Sequence, residues 1–522
     1  LIQINRMKNF KSRLSGTIGV LTLASCGSQP IEKPSLPNVI YVFPDQLRNH
    51  ALSFWGEKGF AERVNFRPDP THTPVLNKFA KESVVLTSAI SNFPLSSPHR
   101  GMLLTGMYPD RSGVTLNCNS ERPNSSIRQD IETISDVYAK AGYDCGYIGK
   151  LHAEHPTKNN PQNPGHYVED KIPAWDAYTA PENRHGFNYW YSYGTYDVHK
   201  EPHYWDTEGN RHEIKEWSPK HEADKAIEYI TNAKSDRDNS KPFFLMVGMN
   251  PPHSPYRSLD DVMEEDYNLY KDQPIDSLLI RPNADKTLAK AKESTPYYFA
   301  SITGVDREFG RILEALEKQG LTENTIVVFA SDHGETMCSQ GIIDPKNSPY
   351  AESINIPFIV RYPSKMTHHI AALLLSSPDI MPTLLGLSGL SNAIPQNLDG
   401  RDFSKILLQE PNEIKRPSSA LYMQNVNGTT DAAGLVQDYF PSSRGIKTHD
   451  HTLALYIDKK NRKLTNVLMF DDKNDPYQLN ALTADKHPEL FKELCGELAT
   501  LLKETNDRWY QERILSDIIN YN

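Results

Sequence analysis

Short, continuously apolar runs alternate along this chain with longer stretches of helical periodicity. Residues 38–43, Asn38-Val39-Ile40-Tyr41-Val42-Phe43, show no polar alternation, as expected of a strand buried on both faces of a parallel sheet. The same pattern recurs at 243–247 and at 325–330. Each run passes straight into polar residues: Pro44-Asp45-Gln46, Asn250-Pro251-Pro252-His253, and Ser331-Asp332-His333-Gly334. Open α/β sheets collect ligands at the carboxyl ends of their strands, so these exits are where chemistry is expected. Between the second and third runs, Ile302, Val305, Phe309, Ile312 and Leu316 recur at spacings of three and four, which predicts a helix with one face on the sheet and a stop at Gly320. Beyond about residue 405 the pattern shifts to shorter strand-like runs such as 452–456, a turn signal at Asp475-Pro476-Tyr477, and a helical stretch over 488–508.

Composition adds bounds. A chain of 522 residues, 38% hydrophobic and 23% charged, can bury a large core and is expected to form one big domain and a smaller one. The net charge of -10 argues against nucleic acid as a partner, and any anion site must be built locally. Near the start, Met7-Lys8-Asn9-Phe10-Lys11-Ser12-Arg13 and the apolar run through Leu23 read as a secretory signal, with residues 1–6 upstream of its start. The run falls short of the roughly 20 residues needed to span a bilayer. Leu23-Ala24-Ser25-Cys26 resembles a bacterial lipobox, so residues 1–25 are expected to be a lipoprotein-type signal and Cys26 the lipidated residue. That implies export and a lipid anchor in the cell envelope, periplasm or outer membrane, with 26–37 as a Pro-rich tether. Cys118, Cys145, Cys338 and Cys495 show neither a dense disulfide framework nor metal-ligand spacing.

The most specific segment is Pro94-Leu95-Ser96-Ser97-Pro98-His99-Arg100-Gly101-Met102-Leu103-Leu104-Thr105-Gly106. Its Ser-x-Pro-x-Arg core followed by Leu-Thr-Gly resembles the nucleophile signature of type I sulfatases, members of the alkaline-phosphatase superfamily. Further segments in the family's order carry the resemblance through most of the chain: Asn38 to Arg48, Gly142-Tyr143 through Gly149-Lys150-Leu151-His152, His253, Asp332-His333-Gly334-Glu335, and Lys346 within Lys-x-x-Pro-Tyr-x-Glu-Ser. The fold implied is α/β, a large mixed sheet sandwiched by helices over residues 38–405, with a smaller C-terminal subdomain of antiparallel sheet plus helix over 406–522.

The resemblance also assigns roles. A bare serine hydroxyl is a weak nucleophile, and in this family it is oxidised to formylglycine (3-oxoalanine), here at Ser96, by a serine-type maturating enzyme. A hydrated aldehyde can attack sulfur and later reform its carbonyl to expel sulfate. Arg100 would hold the site, Lys150 and Lys346 would bind sulfate, His152 would take the proton that lets the intermediate collapse, and His253 would protonate the leaving alcohol. His99 stands where the family often has a small residue. Asp45, Gln46, Asp332 and His333, with Ser96, form the implied metal set for calcium or another divalent cation. Gln46 replaces a usual acidic residue, and histidine is an unusual ligand for so hard an ion. Two roles stay open for His333, metal ligand or sulfate contact, and the plain alternative for Asp332 is a helix cap.

The stretch 184–205 is rich in aromatics and histidines, suited either to a sugar ring or to packing a long insertion; His199 and His203 are its candidate substrate contacts. The implied activity is hydrolysis of sulfate esters on carbohydrate, such as algal ulvan, carrageenan or fucoidan, or glycosaminoglycans. Two rivals are a phosphonate or phosphodiester hydrolase of the same superfamily and an unmatured glycan-binding lipoprotein.

Overall fold

Eleven strands form the larger of two sheets in the computed structural model, which describes residues 36–169 and 171–519. The signal, Cys26 and the start of the tether lie outside the described residues. In chain order the strands are β1 (Asn38–Val42), β2 (Val84–Ile90), β3 (Asp144–Lys150), β4 (Tyr189–Tyr193), β5 (His203–Trp205), β6 (Arg211–Glu213), β7 (Phe243–Gly248), β8 (Thr325–Ala330), β9 (Asn355–Ile356), β10 (Phe358–Arg361) and β11 (His369–Ser376). Their spatial order is β11-β2-β10-β8-β1-β7-β3-β4-β5-β6, with β9 paired to β2. The middle, β8-β1-β7-β3-β4, is wholly parallel. Antiparallel pairs at β10 and β5 make the whole sheet mixed.

The strand pattern explains the two helical layers. Ile40 and Val42 of β1 and Val327 and Phe329 of β8 enter one apolar cluster, while Val39, Tyr41, Ile326 and Val328 enter another. Alternate residues of a strand face opposite sides, so both faces must be covered. The helix Ala289–Lys318 covers the first face with Ile302, Val305, Phe309, Ile312 and Leu316, all buried, and Gly320 follows its end with a positive φ. The helices Ser96–Thr105, Ile134–Lys140 and Ile380–Leu387 contribute to the second cluster.

After residue 405 the chain builds a separate antiparallel sheet, β12 (Ser419–Asn427), β13 (Tyr439–Thr448), β14 (His451–Ile457) and β15 (Leu464–Asp471), in sequential order. The helix Pro488–Glu504 sends Leu494, Cys495, Leu498 and Leu502 into its apolar cluster, which also takes Phe93 and Met102 from either side of Ser96. The four described cysteines are free and buried.

Candidate active site

Four neighbouring strands, β8, β1, β7 and β3, end at the same edge of the parallel sheet and hand over Asp332 and His333, Asp45 and Gln46, His253, and Lys150 and His152. The β1–β7 ladder runs on past the strand, with Phe43 N donating to Val247 O at 3.0 Å and Asp45 N to Met249 O at 2.9 Å. This fixes the Asp45 backbone before the chain turns at Gln46, where φ is 66°. On β3, Gly149 has φ +89°, and a Cβ there would lie 2.3 Å from Gly248 O. Only glycine fits this approach, which aims the next residue, Lys150, into the site. Ser96 opens the helix Ser96–Thr105, and Arg100 follows one turn later on the same face.

These residues meet in one buried cluster. Arg100 reaches both carboxylates: its Nε donates to Asp332 Oδ2 at 3.1 Å and its Nη2 to Asp45 Oδ2 at 3.2 Å. Lys150 Nζ lies 2.7 Å from the same Asp45 oxygen and donates to Asn250 Oδ1 at 3.0 Å. With each Oδ2 held by a cation, Oδ1 of both acids turns toward His333, whose Nε2 lies 3.4 Å from Asp45 Oδ1 and 3.8 Å from Asp332 Oδ1. Ser96 Oγ completes the group, 3.0 Å from His333 Nε2 and 3.4 Å from Asp45 Oδ1. Burial alone would raise the Asp45 carboxyl, but Lys150, His253, His333 and Arg100 hold it well below the usual carboxylate range. No helix follows Asp332; its Oδ1 accepts from the backbone N–H of Gln46 at 3.0 Å and of His333 at 2.9 Å, so it is no helix cap.

The donor set fits a divalent cation. One ligand atom each from Asp45, Asp332 and His333 lie within 4.8 Å of one another. His333 Nδ1 donates to Gly334 O at 2.9 Å, and burial pushes its pKa down to about 4. The ring is therefore the neutral tautomer with the Nε2 lone pair facing the carboxylates, the form a metal ligand requires. Gln46 donates its amide nitrogen to Glu335, leaving its buried Oε1 without a hydrogen-bond partner. A buried amide oxygen left over in this way suits a cation ligand.

Two imidazoles line the same cavity as the nucleophile position and differ in environment. His152 Nε2 donates to Cys118 O at 3.3 Å, leaving the buried Nδ1 unpartnered. Burial, followed by the charges of Lys150 and Arg100, holds its pKa well below the ordinary histidine range, so it is a neutral base. His253 Nδ1 faces Ser254 O at 2.7 Å and Asp197 Oδ1 at 3.4 Å, and its Nε2 meets Lys346 Nζ at 2.8 Å. Nδ1 therefore donates and Nε2 accepts from the Lys346 ammonium, which couples the two side chains at the cavity wall. All of Ser96, Lys150, His152, His253 and Lys346 line one cavity of about 360 Å³.

The aromatic stretch resolves differently from a sugar platform. Trp190, Tyr191, Tyr193, Tyr204 and Trp205 are buried in β4 and β5, strands of the large sheet and not a long insertion. His203 does line the cavity, with Nε2 2.7 Å from Asp176 Oδ2. His199 does not line it. It sits behind His253 with Nε2 2.8 Å from the His253 carbonyl oxygen, and burial pushes its pKa down to about 4. Its place is support for His253, not substrate contact.

Several partners escape sequence reasoning. Asn250 holds Lys150 and is itself fixed by donating to Tyr196 O at 2.9 Å, while Asn117 lines the cavity and accepts from Ser97 N at 3.0 Å. Asp197, Glu335 and Asn250 lay inside quoted segments, yet only their spatial partners distinguish them from ordinary loop residues.

The similarity to known proteins agrees with this geometry. A family model described as sulfatase matches residues 37–390, and one described as N-sulphoglucosamine sulphohydrolase, C-terminal, matches 340–505. An endo-4-O-sulfatase of Bacteroides thetaiotaomicron is 64% identical over 94% of this chain and 97% of its own length. An ulvan-active sulfatase of Formosa agariphila is 31% identical, covering 94% of this chain and 86% of its own. A solved Bacteroides thetaiotaomicron structure, described in connection with metabolism of multiple glycosaminoglycans, superposes with a TM-score of 0.92 at 64% identity, covering 92% of this chain and 99% of that one. The fold is alkaline-phosphatase-like. With a family model spanning well over half its length and close relatives along nearly all of it, this chain belongs to the sulfatase family and is a sulfuric ester hydrolase.

Proposed function

We propose that the chain removes 4-O-sulfate groups from glycosaminoglycan-type saccharides, cutting within the polymer and not only at its ends. What supports the position and mode is the 64% identity to an endo-4-O-sulfatase across nearly the whole of both chains. What supports the chemistry is one observation, Ser96 Oγ held between His333 Nε2 and Asp45 Oδ1 at the centre of a buried cationic cradle.

In this reading residue 96 is oxidised to formylglycine, which supplies an activated oxygen nucleophile and a route to release sulfate, and a divalent cation, calcium by ligand type, supplies positive charge at the sulfuryl oxygens. Asp45, Asp332, His333 and the Gln46 amide oxygen would hold that cation. Lys150 and Lys346, which line the same cavity, bind the sulfate, and Arg100 fixes both carboxylates. The Lys346–His253 pair, joined at Nζ and Nε2, stands as the proton source for the departing sugar oxygen, and His152 Nδ1 accepts the proton lost when the sulfated residue collapses. Preorganised charges of this kind do most where water is excluded. We further infer a serine-type maturating enzyme as partner, and export with a lipid on Cys26 from the motif around it.

The test is inorganic sulfate release by the Ser96→Cys protein, shown by mass to carry formylglycine, from saccharides bearing one sulfate at defined positions. Release from the 4-O position and loss of turnover in Ser96→Ala are expected. Equal release from 6-O-sulfated saccharides would overturn the positional assignment, and release of phosphate in preference to sulfate would overturn the reaction class.

A further inference from the structure

Of the six tryptophans, five are at most 1% exposed and Trp175 is 40% exposed. A lone exposed apolar residue is ordinary on a protein surface, but three features set this one apart. It lines the same cavity as Ser96, Lys150, His152, His253 and Lys346. Its ring lies beside His152, with centroids 6.1 Å apart and planes at 69°. Its backbone is pinned on both sides. Ala174 exchanges hydrogen bonds with Ser120, donating to its Oγ at 2.8 Å and accepting from its N–H at 2.9 Å. Asp176 accepts from Gly194 N at 2.7 Å and pairs with His203 at 2.7 Å.

We propose that Trp175 is a stacking platform for a pyranose ring of the substrate, a saccharide subsite at the mouth of the sulfate-binding cavity. The inference rests on the carbohydrate sulfatase reading above. One face of a pyranose presents C–H groups that pack on an aromatic ring, while its hydroxyls project sideways to polar partners. The anchoring through Ala174 and Asp176 holds the backbone that carries the indole in place before the sugar arrives, so little backbone ordering is lost on binding. Opposite chemistry lies close by: Val198, 41% exposed, and the Lys171–Glu169 pair also line the cavity, so the rim offers both apolar surface and charge. Trp175 acts on binding and orientation and takes no part in proton transfer.

The experiment has two readouts on the full chain. In the formylglycine-bearing enzyme acting on a tetrasaccharide with a 4-O-sulfated hexosamine, Trp175→Ala should raise KM about tenfold and change kcat less than about twofold, and Trp175→Phe should restore most of the loss. In the Ser96→Ala protein, titration with the same tetrasaccharide should shift tryptophan fluorescence saturably, and Trp175→Phe should remove that shift. A KM unchanged by Trp175→Ala while the parent enzyme releases sulfate would overturn the platform and leave the sulfatase reading standing. A Trp175-dependent fluorescence shift with no sulfate release by confirmed formylglycine enzyme would do the reverse.

Discussion

His99 shows how one residue beside the nucleophile can serve the fold instead of the reaction. It follows Pro98 in the signature, yet its ring points away from the cavity and into the interior, with Nδ1 3.1 Å from the hydroxyls of both Ser91 and Ser377. Burial pushes its pKa from 6.5 down to about 3. A histidine depressed in the folded state is neutral there and binds a proton more readily once unfolded. Its contribution is therefore complete above pH 6.5 and is lost as pH falls from 6.5 toward about 3. The denaturant midpoint should drop between about pH 7 and pH 4, and drop less in His99→Gln, which cannot titrate. An identical drop in both proteins would move the acid sensitivity elsewhere. The nucleophile segment, Lys150, His152, His253 and Lys346 were legible residue by residue because each sits in a short spaced motif. Trp175 was not, since a single tryptophan in a segment without periodicity carries no sign of whether it will face inward or out.

Among the elements, the segment from Asp332 to Tyr350 bears His333 and Lys346 without a helix or strand of its own to stiffen it, and the short helix Ala351–Ile354 follows. Buried polar contacts take that part. Glu352 accepts from Arg281 Nε at 2.9 Å and Asn283 Nδ2 at 2.7 Å, and Gly334 N donates to Ser353 O at 2.8 Å, closing the loop on itself. Replacing Arg281 by Met would strand a buried carboxylate, a change that costs about 3–5 kcal/mol where one partner of such a pair is lost. Urea unfolding of Arg281→Met should show that loss, and the divalent-cation requirement that the proposed site implies should move to higher concentration as His333 and Lys346 loosen together. Unchanged stability would mean that Glu352 finds another partner. The strands that deliver Asp45, His253 and Asp332 were readable from their continuous apolar runs. The pairing of β2 with β10 and β11, which carries Ser96 to the same place, depends on contacts far apart in sequence that no local pattern reports.

Across the whole molecule the two sheets jointly position the site. Met423 N of β12 donates to Asn92 O at 2.8 Å, Asn92 Nδ2 donates to Leu421 O at 2.6 Å, and Gln424 Nε2 donates to Asn347 O at 3.0 Å. Asn347 N in turn donates to Pro94 O at 3.0 Å, so the segments bearing Ser96 and Lys346 are tied to each other and to the C-terminal sheet. Composition and the change of pattern near residue 405 foretold a second sheet, but not that it would hold the nucleophile.

Ser96 is 1% exposed in the finished fold, at the floor of a cavity of about 360 Å³. Burial to that degree keeps the Ser96 side chain out of reach of a second enzyme's catalytic groups in the folded protein. If residue 96 is oxidised as proposed, the oxidation is expected while the chain is still open, as an event of biosynthesis and not a control on the mature protein. Purified, folded Ser96 protein mixed with a serine-type maturating enzyme should gain no sulfatase activity, while the same pair produced together should yield active enzyme; activation of the folded protein would show that the helix bearing Ser96 can open. The competition that matters is between two rates, closure of the two sheets around residue 96 and oxidation of its side chain. A chain that folds first is sealed as an inert copy for its lifetime.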